Sequence, residues 1–374
     1  MSKGKLIQPD LDFVKEITAQ GGGDSLKKCY QCATCSVVCN VTHTDKPFPR
    51  KEMIWAQWGL KDKLLGDPDI WLCHQCSDCT AYCPRGAKPG EVLGALRKLS
   101  IKENSWAGAI AKLVGSPAGL LPLLLIPVLI FAAIILGLGR LGHLEGKIVF
   151  EKLVPIPAVD AVFIAAALFA AVSFVAGIKR YWRLMSEASG LESTRGSVIP
   201  AIISAVLEII GHKRFDKCDV TSSRSLAHKL VFWGFAGLAI TTTWAVIYLY
   251  IMHIEGPYPI SDPMKWLALV SMASLLLGIF LVIINRNANA EKAGKGSYFD
   301  WQFVWLVALV AVTGAMSWGL RLLGAASPAY LTYFAHLTFV FCLFAYAPFS
   351  KMAHMVYRAT AMVFARHVNM EGAE

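Results

Sequence analysis

The chain has 374 residues, 55% of them hydrophobic, with 36 Lys and Arg against 26 Asp and Glu for a formal charge of +10. That length admits two or three domains, and the apolar share exceeds what one soluble core needs. The basic excess lies in the loops between long apolar runs, where it reports topology, so no nucleic-acid partner is expected.

The opening segment MSKGKLIQPD has neither an apolar core nor a small-residue cleavage site, so it is not read as a secretory signal, and the region is expected to stay in the cytoplasm. Eight of the ten cysteines fall between Cys29 and Cys83. In a reducing compartment, such close spacing points to metal ligation rather than disulfides. The runs are CYQCATCSVVCN (29–40) and CHQCSDCTAYCP (73–84), both spaced C-x2-C-x2-C-x3-C. Three cysteines at this spacing let a tight loop wrap one cubane, and in two-cluster ferredoxins the fourth ligates the other cluster. Cys29, Cys32, Cys35 and Cys83 are therefore expected on one 4Fe–4S cluster, and Cys73, Cys76, Cys79 and Cys39 on a second. Structural zinc is the alternative, but zinc sites pair two C-x2-C knuckles, and a run of three plus a fourth is unusual for them. Asn40 stands where Pro84 follows the second run, which should alter a turn more than ligation. Between the runs, RKEMIWAQWGLKDKLLG (50–66) has helical periodicity, so residues 1–110 read as a cytoplasmic α-helical ferredoxin without a β insert. His43 and His74 read as surface or supporting groups beside the thiolates, not as ligands.

From 111 to 374 the chain is expected to form a six-helix membrane bundle. Segments near 117–139, 156–178, 227–252, 264–284, 301–323 and 330–352 supply the roughly 20 apolar residues that each crossing needs. The connection 179–226 holds Lys179, Arg180, Arg183, Arg195, Lys213, Arg214, Lys217, Arg224 and, just beyond, Lys229. With Arg286, Lys292 and Lys295 after the fourth span and Arg358 and Arg366 in the tail, this bias places both termini and the cysteines on the cytoplasmic face of the inner membrane. Within that connection, SVIPAIISAVLEIIGHKRF (197–215) is apolar with a basic end. It either lies along the membrane surface or packs under the cytoplasmic domain.

Histidines in the spans draw attention because ionisable groups at that depth are costly and commonly functional. His336 and His354 are 18 residues apart, five turns and about 27 Å on a straight helix, which puts them on one face. Pro348 is expected to kink the helix before His354. Two interfacial histidines bonded to water are the bland reading. Their shared face favours axial ligation of two b-type haems. His228, at the inner end of the third span, lies at the depth of His354, and Gly234 and Gly237 beyond it would leave room for a flat macrocycle. For His336 the partner position on the third span is Leu238. His253 at the outer end is the expected candidate, with His143 and His212 as others. Cys218 and Cys342 read as packing.

The paired cysteine runs resemble those of the C-type subunit of heterodisulfide reductase. The six-span part with His228, His336 and His354 is similar to the E-type subunit of that enzyme and to the cytochrome b subunit of respiratory nitrate reductase. Their fusion in one chain resembles the membrane subunit of quinone-interacting membrane-bound oxidoreductase complexes of sulfate reducers, over nearly the whole length. The nitrate-reductase cytochrome carries two histidines ten apart on the equivalent of the third span, and Leu238 occupies the second position here. The resemblance implies a dihaem cytochrome b bundle, menaquinone as substrate, and two soluble heterodisulfide-reductase-A-like flavin and iron–sulfur subunits, with adenylylsulfate reductase beyond them. No nucleotide fingerprint appears, so the chain is expected to carry electrons without a catalytic residue of its own. Two other classes fit six spans and a cysteine domain: a redox-gated transporter or sensor, and the equivalent subunit of a catalytic heterodisulfide-reductase-like complex.

Overall fold

The computed structural model describes residues 8–42, 46–144, 146–189, 196–211 and 224–370, and among them finds helices and turns with no strand. His43, His212 and Cys218 lie outside the described residues. The N-terminal part holds α1 (Leu11–Ala19), α2 (Thr34–Val37), α3 (Arg50–Gln57), α4 (Lys61–Leu65), α5 (Asp69–Leu72), α6 (Asp78–Ala81) and α7 (Pro89–Asn104). α1 begins where the Asp10 side chain accepts the Phe13 N–H at 2.9 Å, and it buries Phe13 and Ile17 on one face. The expected helix between the cysteine runs is present as two pieces, α3 and α4. Gly59 breaks it at φ 65°, where a side chain's Cβ would meet the Asp10 carbonyl at 2.3 Å.

An ionic cluster lies under α3 and α5. Lys51 Nζ sits 3.0, 3.2 and 2.8 Å from carboxylate oxygens of Glu52, Asp67 and Asp69, all three buried. The ammonium occupies the position a metal cation would take among three carboxylates. Burial first, and the neighbouring Asp67 next, hold the Glu52 carboxyl well above its usual range.

After α8 (Gly108–Val114) the chain enters the bundle: α9 (Leu120–Gly137), α10 (Ile156–Ser189), α11 (Ile199–Gly211), α12 (Arg224–Tyr250), α13 (Pro263–Ala288), α14 (Ala290–Ala293), α15 (Tyr298–Leu322), α16 (Ala326–Ala345) and α17 (His354–His367). Six of these helices, α9, α10, α12, α13, α15 and α16, are long and apolar enough to cross a membrane, as expected. Helices satisfy their backbone groups internally, which is what hydrocarbon requires. α10 runs beyond its expected end, and its 34 residues span about 51 Å, well over the hydrocarbon thickness. The surplus packs beneath the N-terminal part, where Tyr181 and Met185 are fully buried and the Tyr181 hydroxyl donates to the Asp67 carbonyl at 3.4 Å.

Two sequence expectations change here. Gly234 and Gly237 do not open a slot for a macrocycle. They let α12 close against α13, because a Cβ at Gly234 would lie 2.8 Å from the Leu275 nitrogen and one at Gly237 would lie 2.0 Å from Ser271 Oγ. Gly278 of α13 does the same against Val231 of α12. Nor do His336 and His354 share a straight helix. α16 ends at Ala345, a 3-10 turn carries Pro348, Ser350 is extended at ψ 179°, and His354 is the first residue of α17. Proline's missing N–H and its ring break the helix outright where a kink was expected. α11 packs on α17, with Ala201 and Ala205 buried and Glu208 paired to Arg366, and it presents Ile203, Leu207 and Ile210 outward.

Candidate functional site

Each cysteine run folds into the same loop. Gln31 and Ala33 in the first, and Gln75 and Ser77 in the second, adopt positive φ (62°, 69°, 54° and 66°). These left-handed residues curl the chain around a centre and turn backbone N–H groups inward. In the second run Gln75 N–H points at Cys73 Sγ at 3.3 Å, and Ala87 N–H reaches Cys83 Sγ at 3.4 Å. In the first run the Gln31 side-chain amide reaches Cys29 Sγ at 3.4 Å. Such donors stabilise thiolate charge. A turn follows each run regardless of proline, since Thr42 N–H bonds Cys39 O and Gly86 N–H bonds Cys83 O.

The fourth cysteine of each run lies with the other run. Cys39 feels the thiols of Cys73 and Cys76 most strongly, and Cys79 those of Cys73, Cys76 and Cys39. Cys83 lies by Cys29 and Cys35. Cys39, Cys73, Cys76 and Cys79 also line one pocket together. Cys35 borders both groups, so the two sets adjoin. Burial first, then repulsion from neighbouring thiolates, pushes Cys35 up to about 11 and Cys39 up to about 12, and puts Cys79 well above its ordinary range. Cys32 is exposed and, through Thr34, sits below its ordinary value. Thiols this buried ionise only as a metal takes the proton's place. His74 is buried beside the second loop, not on the surface.

The second loop is tied to the membrane bundle by α17. Arg358, one turn after His354, donates from Nη1 to the Cys73 carbonyl at 3.0 Å. Arg97 of α7 donates to the same carbonyl at 2.6 Å, to Ile70 O at 2.7 Å and to Gln75 Oε1 at 3.0 Å. Trp71, just before the loop, stacks on Tyr357 of α17 with centroids 5.3 Å apart. Sequence reasoning missed this junction. Arg358 registered only as a positive charge marking sidedness, and Arg97 drew no reading at all.

The histidines sort into two places. His354 Nδ1 lies 2.6 Å from the Lys351 carbonyl, which can only accept, so Nδ1 carries the proton and the Nε2 lone pair is left for a metal. Burial first, then the charges of Lys351, His228 and Arg97, pushes His354 down to about 3 and keeps the ring neutral. His228, on the first turns of α12, is thus near enough for its charge to act on His354. His336 lies midway along α16 against α15. Its Nδ1 is 3.1 Å from the Thr313 hydroxyl, which already donates to Leu309 O at 2.6 Å, so here too Nδ1–H donates. A side chain at Gly314 would press that ring at 3.0 Å. His253 stands in an exposed turn past the end of α12 at φ 54°, and His143 closes the short turn Arg140–His143. Cys342 is buried in the helix packing, as expected of a lone cysteine.

Residues 25–87 match the family model of the 4Fe–4S dicluster domain. The chain is 38% identical over 91 residues to a heterodisulfide reductase C-like protein of Archaeoglobus profundus, covering 24% of this chain and 48% of that one. It is 38% identical over 110 residues to the C-type subunit of the H2:CoB–CoM heterodisulfide,ferredoxin reductase of Methanothermobacter marburgensis, covering 29% and 57%. The chain thus spans about half the length of these C-type relatives. A third match, 23% identical over 197 residues, is to the E-type subunit of the dihydromethanophenazine:CoB–CoM heterodisulfide reductase of Methanosarcina thermophila, covering 49% of this chain and 72% of that one. That stretch is longer than the whole N-terminal part and so extends into the bundle. No solved structure matches. Fold and site together define a multi-pass membrane protein, with six helices long and apolar enough to cross and a helical 4Fe–4S dicluster domain at its N-terminal end. More particularly, the chain joins a stretch similar to heterodisulfide reductase C-type subunits to one similar to an E-type subunit of that enzyme class.

Proposed function

We propose that this chain carries electrons between a membrane quinone pool, menaquinone by the resemblance above, and soluble flavin and iron–sulfur subunits. The observation that carries the reading is α17, which starts at His354 beside His228 and one turn later holds the carbonyl of Cys73 through Arg358. One helix thereby joins a candidate haem-iron site to a cluster loop. In this reading the domain boundary falls near 110, and both termini and the clusters face the cytoplasm.

His228 and His354 would hold a b-type haem on the cluster side of the bundle, each offering a neutral imidazole nitrogen. His336 would hold the second haem. Its partner in the sequence reading, His253, reaches it only if the outer turn folds back over the bundle. Cys39, Cys73, Cys76 and Cys79 would bind the cluster nearer the haem. Cys29, Cys32, Cys35 and Cys83 would bind the other, which faces the partners because Cys32 is exposed whereas Cys73 and Cys79 are buried. A haem or cluster supplies one-electron carriage when bound. The protein orients it, excludes water and tunes its charge environment. The partners would be two heterodisulfide-reductase-A-like subunits, with adenylylsulfate reductase as the distant acceptor.

An anaerobic reduced-minus-oxidised visible spectrum of the purified chain, with haem, iron and acid-labile sulfide assayed alongside, tests this. A b-type signal with sulfide for two clusters is the expected result. Clusters without haem would overturn the conduit and favour a redox-gated transporter or sensor.

A further inference from the structure

Resting on the cluster assignment just proposed, we infer that Arg97 and Arg358 form an electrostatic clamp that raises the reduction potential of the cluster bound by Cys73, Cys76, Cys79 and Cys39. Two guanidinium groups from different parts of the fold converge on one backbone carbonyl, that of Cys73, at 2.6 and 3.0 Å. Arginine stays charged at any pH the protein meets. A helix-packing role would not require both to aim at the peptide of a thiolate ligand.

Arg97 is the more firmly fixed of the two. Its other nitrogens are held by Ile70 O and Gln75 Oε1, and its guanidinium lies 5.6 Å from the Trp71 ring. The whole loop from Ile70 to Gln75 is thereby wrapped around positive charge. Reducing a 4Fe–4S cluster adds one electron and no compensating cation. Nearby fixed positive charge favours the reduced form, and net charge with hydrogen bonding is a known lever on such potentials. Among the described residues no pair of arginines converges in the same way on a backbone carbonyl of the first run. There a single arginine, Arg50, bears on the thiols Cys29 and Cys32.

The consequence is an ordering. The haem-side cluster is the easier of the two to reduce, so an electron arriving from the bundle rests there before the step to the exposed cluster. Arg358 also belongs to the helix that begins at His354, so the residue that tunes the cluster is fixed to the backbone that would hold the haem.

The test is an EPR-monitored redox titration of the full chain in detergent, comparing wild type with Arg358→Gln, Arg358→Lys and Arg97→Gln. Cys76→Ser identifies which signal belongs to the haem-side cluster. Arg358→Gln should lower the midpoint of that signal only, Arg97→Gln should lower it further, and Arg358→Lys should restore most of the wild-type value. Both midpoints unmoved in the glutamine variants, both moved equally, or a lysine variant displaced as far as glutamine would each overturn the clamp. Absence of any cluster signal in wild type would instead overturn the cluster reading itself.

Discussion

Cys39→Ala is expected to destroy the cluster of the second cysteine run, although Cys39 belongs to the first. The structure sets the size of the effect. The thiols that act most strongly on Cys39 are Cys73 and Cys76, and burial pushes its own thiol up to about 12. Forming that thiolate at pH 7 without iron would cost about 7 kcal/mol, so the site is one that iron binding must create. Removing one of four such ligands should release that cubane and about half of the iron and acid-labile sulfide, while the other four-thiolate set stays complete. The assay is EPR of the reduced chain in four variants. Cys39→Ala should match Cys76→Ala, and Cys83→Ala should match Cys32→Ala. A Cys39→Ala spectrum matching Cys32→Ala would refute the crossed arrangement, because each run would then hold its own cluster.

His354→Ala and His228→Ala should each remove the same haem signal from the visible difference spectrum and leave the clusters intact, and loss of two different haems would sink the pairing. Lys51→Met leaves the buried acidic groups of Glu52, Asp67 and Asp69 without their cation and should cost about 3–5 kcal/mol, read as a lower unfolding temperature, while Glu52→Gln should cost far less because burial and Asp67 already oppose charge on that carboxyl. Since folding raises the Glu52 pKa, its contribution is full below the ordinary carboxyl range and is lost as pH rises above it, so the wild-type advantage over Glu52→Gln should shrink with rising pH. Gly234→Ala should destabilise the bundle by about 1–3 kcal/mol, because its methyl meets Leu275 backbone and side chain and not a cofactor space. A Gly234→Ala chain that keeps full stability but loses haem would contradict that packing.

Much of the architecture was legible locally. Six spans follow from apolar runs, because hydrocarbon tolerates little else for about twenty residues. The dicluster motif follows from cysteine spacing, because a cubane's corners fit only a tight loop. The helical character of the segment between the runs was likewise written in its periodicity, though Gly59 divides it through a contact with Asp10, a residue far away in sequence. Pro348 announced a disturbance of the last span. Whether it would kink or break the helix depended on how His354 and α17 dock beyond it.

The sequence by itself therefore determined the helical class, the membrane crossings and the thiolate set, all of which rest on neighbours within one or two turns of chain. Only the tertiary structure decided that Gly234 and Gly237 serve helix contact, that α17 spans the gap between His354 and the Cys73 loop, and that two arginines meet there. A glycine allows close approach without stating what approaches, and an arginine's charge says nothing of the carbonyl it will find. Those choices are made when distant segments pack, where shape and hydrogen-bond geometry select one partner among many that composition alone leaves equal.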